Sequence, residues 1–270
     1  MVRNKLKQKT IENSNGDFRF RGTDNTRIEA YSDGVFAIAT ALLIISTSVP
    51  ETYAELLLFL EDMIPFAICI TLLIMIWHEH YIFFIRYGFK DAGIVAINTL
   101  FLFLVLFYIY PLKFLFSLLY KMMVGVITND VEEIRYLFST VIDRNDTPVL
   151  MVIYGLGAAA VFLTLTWMYV IAYLRRHKLA LNELEIYDTR LNIIENLAMA
   201  SVPIISSIMA LSIDPPMRAF KYSGLFYWSY AVIMPVLGYI MYNKRKKLVA
   251  KLSGTAQISD QDESNGESSD

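Results

Sequence analysis

Three side chains that can form ion pairs or strong hydrogen bonds occur at the start of a long apolar segment. Arg27, Ser32 and Asp33 precede the stretch 34–45, which contains no charged residue. Ionisable groups at a membrane boundary are costly and persist mainly where they pair, cap a helix or line a water-filled path. These residues are therefore the first candidates for function, through hydrogen bonding or charge pairing at the end of a membrane helix.

A second group of side chains suited to chemistry is His78-Glu79-His80, which follows Trp77. An i, i+2 spacing puts two imidazoles on different faces of a helix, so both cannot easily bind one metal ion. Three uses remain open: a zinc site, hydrogen bonding within a helix bundle, or an interfacial belt of aromatic and polar side chains.

Motifs of soluble enzymes are absent from the sequence. It contains no phosphate-binding glycine loop, no nucleophile elbow and no paired-cysteine metal site. We therefore expect no enzymatic activity, no catalytic residue, no bound metal and no cofactor.

The composition is typical of a protein that crosses the membrane several times. Hydrophobic residues make up 56% of the 270 residues, with 17 Phe and 17 Tyr, which exceeds the share in ordinary soluble domains. The single cysteine, Cys69, lies in an apolar segment, so no intrachain disulfide framework exists. The formal net charge of −2 argues against nucleic acid as a partner. No signal-peptide apolar region follows the basic N-terminal residues.

Six segments are long and apolar enough to cross a membrane. About 20 apolar residues are needed, because roughly 30 Å of hydrocarbon is crossed at about 1.5 Å per residue. The predicted spans are 30–49, 55–85, 91–119, 148–175, 189–213 and 218–242. The sequence thus predicts an all-α, polytopic membrane protein with six transmembrane helices.

Lys and Arg are concentrated on one side of the predicted spans. That side carries the N-terminus, the second loop and the segments 175–178 and 244–247. Because basic loops stay in the cytoplasm, both termini are predicted to be cytoplasmic in a multi-pass protein of the cell membrane. The predicted organisation is a basic N-terminal segment 1–26, a six-helix domain 27–247 and an acidic, disordered cytoplasmic tail 248–270.

Counting depth along the first helical hairpin brings several polar residues into one layer. The first span rises from the cytoplasm and the second descends, so residues equally far from their turn lie at similar depth. The predicted cluster consists of Arg27, Ser32, Asp33, Trp77, His78 and Asn98. A plainer interpretation is equally open, in which Ser32 or Asp33 starts the helix and Arg27 reaches lipid phosphate.

Beyond Asp33, the first span has a regular apolar face. Ile38, Leu42 and Ile45 recur at intervals of four and three residues. Such a face usually contacts lipid or the protein core. Alternatively, several copies of it meet on an axis and form a hydrophobic constriction that gates a channel by dewetting.

The run Arg27-x-x-x-Tyr31-Ser32-Asp33-Gly-Val-Phe-Ala-Ile-Ala resembles the signature that opens the first helix of the transmembrane protein 175 family. Further similarities are Trp77-His78 at the end of the second span, Asn98 with the apolar run after it, and Tyr110-Pro111-Leu112-Lys113-Phe114. The resemblance extends over all six predicted spans, and the first-helix signature is its specific part. Prokaryotic members of this family are potassium channels.

The resemblance implies a homotetramer in which the first helix of each subunit lines a central pore. It implies pore-lining rings at Ile38, Leu42 and Ile45, with Ile38 forming the tightest ring. It also implies a set of residues that support the pore helix: Arg27, Tyr31, Ser32, Asp33, Trp77, His78 and Asn98.

Two positions depart from the family pattern. Tyr31 replaces the usual Phe and adds a hydroxyl that can join the polar cluster. The family commonly has a Thr eight residues after the Asp, where this chain has Ala41, preceded by Thr40. One residue rotates a side chain by about 100° on a helix, so Thr40 and Ala41 are both candidates for a polar pore ring. Like the family, the chain lacks a Thr-Val-Gly-Tyr-Gly filter loop.

The predicted function is a potassium-permeable cation channel, with passive flux through a tetrameric pore. Hydrophobic rings on the first helix are predicted to gate this pore. Potassium and other monovalent cations are the expected permeants, and the lipid bilayer is the expected surroundings. One alternative is a proton-coupled secondary transporter in which Asp33 and His78 relay protons. A membrane enzyme using His78, Glu79 and His80 is the other. Uninterrupted spans with charges near their ends favour the channel.

Overall fold

A computed structural model describes residues 18–22, 26–45 and 49–266, without the side chains of Ile45 and of residues 253–266. All regular structure in these residues is helical, which confirms the predicted all-α class. The long helices of the first part are α1 Arg27–Ile45, α2 Tyr53–Tyr87 and α3 Ala92–Thr128. They are followed by α4 Val131–Tyr136, α5 Thr147–Leu174, α6 Glu183–Ser212, α7 Pro216–Phe226 and α8 Tyr230–Gly266.

Five helical segments of the described chain are long and apolar enough to cross a membrane, so the chain is a multi-pass membrane protein. Four of them are α2, α3, α5 and α6, and the fifth joins α7 to α8 as far as Leu252. The remaining predicted span corresponds to α1, whose 19 residues cover about 28 Å. That length is close to the hydrocarbon thickness, but the first turns of α1 carry charged residues. The count of six spans stays a prediction.

Polar side chains and a glycine set several helix ends. Thr52 and Asp91 accept hydrogen bonds from backbone N–H groups in the first turns of α2 and α3, and Asn182 does so for α6. Gly88, with a φ of 61°, ends α2 in the left-handed conformation that glycine adopts without strain. The helix α3 extends past its predicted end at 119 because the residues 122–127 are apolar and continue the helical face.

The helices form two groups that share one core. The first group consists of α1, α2 and α3, and the second begins with α5 and α6. Within the second group, α5 and α6 pack along most of their length, and α3 joins the first group to α5. The main core contains Phe36, Phe83, Phe101 and Leu165, contributed by α1, α2, α3 and α5 in turn. Because α1 packs mainly against α2 and α3, one of its sides is left open within the described chain.

The last helix continues through much of the segment that the sequence predicts to be a tail. Its backbone is helical to Gly266, whereas residues 267–270 and the basic residues before 18 lie outside the described chain. The disorder of the tail 248–270 therefore stays a prediction.

Candidate pore helix and its supporting network

Within the described chain, α1 has a buried face and an open face. The buried face consists of Val35, Phe36, Ala39 and Leu43. The open face consists of Gly34, Ala37, Ile38 and Ala41. Both sets recur at intervals of three and four residues, as expected for a helix packed on one side. A Cβ atom added at Gly34 meets no other atom within 4 Å, so the face is open at this position.

The predicted pore-lining residues divide between these surroundings. Ile38 lies on the open face and is 57% exposed. Leu42 lies half-buried at the border of this face, and the side chain of Ile45 is outside the described part. Ala41 is exposed, whereas Thr40 is half-buried and its hydroxyl donates to the Phe36 carbonyl over 3.0 Å. The open face thus runs through Ile38 and Ala41, and the Thr40 hydroxyl is engaged by its own helix.

Asn98 lies at the centre of a buried polar network near the N-terminal end of α1. Its Nδ2 donates to the Ser32 hydroxyl over 2.9 Å, and Ser32 in turn donates to the Ile28 carbonyl over 2.9 Å. On its other side, Asn98 Oδ1 lies 2.6 Å from Nε2 of His80. Because an amide oxygen only accepts, the imidazole is the donor in this contact. The network therefore joins α1, α2 and α3 at one level.

The histidine in this network is His80, not the predicted His78. The His80 ring is buried and stacks on Phe101 with ring centroids 5.3 Å apart, next to Phe84 and Phe36. His78 is exposed, because two residues along a helix rotate a side chain by about 200°.

A signal in the sequence does point to His80. Leu73, His80, Phe84 and Tyr87 are buried and recur at helical spacing. These residues lie on one face of α2, and that face packs against the core. The pattern therefore indicates that His80 is buried, which counting depth along the helix does not.

The other predicted support residues lie outside the buried network. Trp77 donates from its indole Nε1 to Asp33 Oδ1 over 2.8 Å, in an exposed pair. Tyr31 is 67% exposed, and Arg27 is exposed in the first turn of α1. Within the described chain, no hydrogen bond or ion pair links Arg27 or Tyr31 to the network. Where the sequence predicts one cluster, the structure has two separate contacts. These are a buried triad of Ser32, Asn98 and His80 and an exposed pair of Asp33 and Trp77.

A second support structure, which the sequence analysis missed, is the short segment 18–22, the N-terminal strap. It crosses the C-terminal end of α2, where the Gly22 N–H donates to the Ile85 carbonyl over 3.0 Å. Phe18 is buried against the edge of Tyr87, with ring centroids 5.5 Å apart. A Cβ atom at Gly22 would lie 2.3 Å from the Phe84 carbonyl oxygen, so the close approach requires glycine here.

Two arginines connect the strap to the start of α6. Arg19 and Arg21 donate to the Glu185 carboxylate, with Nη2 to Oε2 distances of 2.9 and 2.8 Å. The Glu185 side chain is fully buried and also completes a capping box with Asn182. The hydrogen bond that Arg19 donates to Glu185 raises the pKa of Arg19 above its usual value. Since the strap precedes α1 in the chain, it ties the segment that leads into α1 to the start of α6.

The arrangement is suited to holding helices in place. Among the described residues, no group of three or more His, Cys, Asp or Glu side chains is placed to hold a metal ion. The buried triad pairs donors with acceptors and presents no activated nucleophile. Its position at the base of an open helix face makes α1 the candidate functional element.

Comparison with known proteins identifies the family. The profile of the family described as endosomal/lysosomal potassium channel TMEM175 matches residues 27–108. A protein of Marivirga tractuosa named potassium channel is 44% identical over 245 residues, which cover 89% of this chain and 97% of that protein. The chain belongs to the TMEM175 family. This confirms the family resemblance of the first-helix signature.

One solved TMEM175 structure agrees with this assignment. A crystal structure of a variant of the potassium channel MtTMEM175, bound to a nanobody–MBP fusion protein, is 45% identical with a TM-score of 0.74. The match covers 85% of the present chain and 98% of the MtTMEM175 chain. A homologue of the lysosomal potassium-selective channel TMEM175, from Chamaesiphon minutus, is 22% identical with a TM-score of 0.43, over 74% of this chain and 95% of that one.

The TMEM175 profile covers the candidate site. Residues 27–108 include all of α1 and the buried triad of Ser32, Asn98 and His80. The TMEM175 relatives are named as potassium channels, which are not enzymes. This agrees with the prediction that the chain is not an enzyme.

Proposed function

We propose that this protein is a potassium-permeable cation channel of the cell membrane, formed by four copies of the chain around a pore lined by α1. The observation that carries the proposal is the open face of α1, which is exposed in the single chain although the opposite face is packed. Glycine and alanine on such a face let helices approach closely in a membrane. The potassium-channel relatives support the same function.

The gate in this proposal is a ring of Ile38 side chains. Ile38 is the largest of the residues on the open face, and its neighbours Gly34, Ala37 and Ala41 are small. Four branched apolar side chains on a narrow axis offer water no hydrogen-bond partner, and an ion that loses its hydration there meets a high barrier. Leu42 and Ile45 are the proposed wider rings towards the outer side.

Selectivity for potassium over sodium is proposed to be weak. Discrimination between these ions depends on oxygen ligands that replace water. On the open face, the candidate position Ala41 has no hydroxyl, and the Thr40 hydroxyl donates to the Phe36 carbonyl instead. A pathway without a ring of side-chain oxygens at this level passes both cations.

The buried triad and the exposed Asp33–Trp77 pair are proposed to hold the inner end of α1. Both lie at the start of α1, and the positive-inside bias places this end at the cytoplasm, with both chain termini on that side. They act as support in this proposal and do not contact the permeating ion.

A flux measurement tests the proposal. Purified protein in liposomes with opposed potassium and sodium gradients should carry a cation flux that protein-free liposomes lack, with only a modest preference for potassium. The mass of the assembled particle should correspond to four chains. Liposomes that hold folded protein and carry no cation flux would overturn the proposed function.

A further inference from the structure

A lysine inside the apolar part of α3 contacts the outer end of α1. Lys113 is half-buried, and its Nζ donates to the backbone carbonyl of Leu43 over 2.9 Å. Leu43 is fully buried and lies in the last turn of α1. Carbonyls in the last turn of a helix carry its partial negative charge, so an ammonium group there forms a charge-assisted hydrogen bond.

The surroundings of Lys113 offset part of the cost of its charge. An ammonium group within a membrane span is costly and persists where it has partners. Besides the Leu43 carbonyl, the carboxylate of Asp62 on α2 acts favourably on the Lys113 charge. The hydrogen bond joins α3 to α1, and the opposite charge is contributed by α2.

Lys113 and Asn98 hold the same two helices at two levels. Along α1, Ser32 and Leu43 are separated by about 16 Å, and along α3, Asn98 and Lys113 are separated by about 22 Å. The difference of about 6 Å matches the reach of a lysine side chain, which leans towards the start of its own helix. Two contacts at different depths thus join α1 to α3 in parallel.

We propose that Lys113 is the positioning residue of the outer end of the pore helix. With Asn98 at the inner end, it makes α1 and α3 move as one unit, so that α3 sets the distance of Ile38 from the axis. Ile38 lies about midway between Ser32 and Leu43, the two points held by α3. The consequence for ion flux rests on the proposed function, whereas the anchoring of α1 does not.

Four variants separate this role from general stability. Lys113→Met keeps the apolar stem and removes the donor, Lys113→Gln shortens the side chain beyond reach of Leu43, and Lys113→Arg keeps the charge and the donors. The matched control is Lys121→Met, on the same helix at an exposed position.

The first readout is hydrogen exchange in peptides from α1 of the assembled protein. In Lys113→Met and Lys113→Gln, amides of the outer half of α1 should exchange about tenfold faster, as expected on losing a hydrogen bond to a charged group. The inner half of α1 should be unaffected, Lys113→Arg should restore protection, and Lys121→Met should match the unmodified protein.

The second readout is the ratio of potassium to sodium flux in liposomes, which should fall towards one in Lys113→Met and recover in Lys113→Arg. Unchanged exchange at the outer end of α1 in an assembled Lys113→Met or Lys113→Gln protein would overturn the anchoring role. Faster exchange in a protein that conducts no cation, even unmodified, would support the anchor and contradict the proposed function.

Discussion

Asn98 donates a hydrogen bond to the Ser32 hydroxyl over 2.9 Å, and this contact joins α3 to the inner end of α1. Both side chains are almost completely buried, with exposures of 2% and 0%. A buried donor that loses its partner retains the cost of its desolvation, so the pair is worth more to the structure than an exposed pair of the same geometry.

Asn98→Ala is therefore expected to destabilise the protein. It leaves Ser32 and His80 without their shared partner, which should lower the free energy of unfolding by about 2–6 kcal/mol at about 1–3 kcal/mol per unpaired group. Thermal unfolding of the purified protein measures this. The control is Thr99→Ala, next to it on α3, where an exposed hydroxyl donates to its own helix. Equal melting temperatures for the two variants would rule out a supporting role of the network.

Glu185→Gln tests the anchoring of the N-terminal strap. The fully buried carboxylate accepts from Arg19 and Arg21. Its loss should reduce stability by about 1.5–3 kcal/mol, the range for hydrogen bonds to charged groups. The strap should also become more sensitive to limited proteolysis. Glu183→Gln, the same change at an exposed position of the same helical turn, should leave both properties unchanged. A strap equally protected in Glu185→Gln would contradict the anchoring.

The pair of Asp91 and Arg175 gives a prediction about pH. Arg175 donates to both oxygens of Asp91 at 2.6 and 3.2 Å, and this hydrogen bonding lowers the pKa of Asp91. A carboxyl with a lowered pKa in the folded state contributes stability above its unfolded pKa of about 3.9 and loses it as the pH falls further.

Melting temperatures measured from pH 6 to pH 3 test this effect. As the pH is lowered, the melting temperature should fall less steeply in Arg175→Gln than in the unmodified protein. The reason is that the variant has already lost the ion pair with Asp91. Arg176→Gln is the control, since the Arg176 guanidinium lies over the ring of Tyr173 rather than on a carboxylate. Parallel curves for all three proteins would show that the ion pair does not contribute.

The polar cluster could be predicted in part, because helix geometry fixes depth more firmly than rotation. Ser32, Asp33, Trp77 and Asn98 were expected near one level, and the structure brings them into two contacts at that level. The structure places His80 rather than His78 beside Asn98, and depth along the helix barely separates the two histidines. What separates them is the direction of the side chain, and the packing of phenyl rings around His80 decides it.

The helices were predictable from hydropathy, whereas the strap was not. A span is recognisable because the membrane imposes its length. The contacts of Arg19 and Arg21 join residues 166 and 164 positions apart, and no local pattern signals such a pairing. The contact of Lys113 with Leu43, 70 positions apart, was missed for the same reason.

The central claim is that the open face of α1 lines the pore, with Ile38 at its narrowest ring. Ile38→Asn should hydrate this ring and lower the barrier to ions. Ile44→Asn is the matched control, because Ile44 is the same residue on the same helix with a similar exposure of 52% against 57%. It is rotated from Ile38 by about 120° around the helix axis.

The most direct measurement is single-channel recording of the unmodified protein, Ile38→Asn and Ile44→Asn, each first shown to assemble normally. Ile38→Asn should increase the cation current and reduce the preference for potassium over sodium, while Ile44→Asn should conduct like the unmodified protein. An assembled Ile38→Asn channel with unchanged current and selectivity, or an equal increase in both variants, would contradict the account.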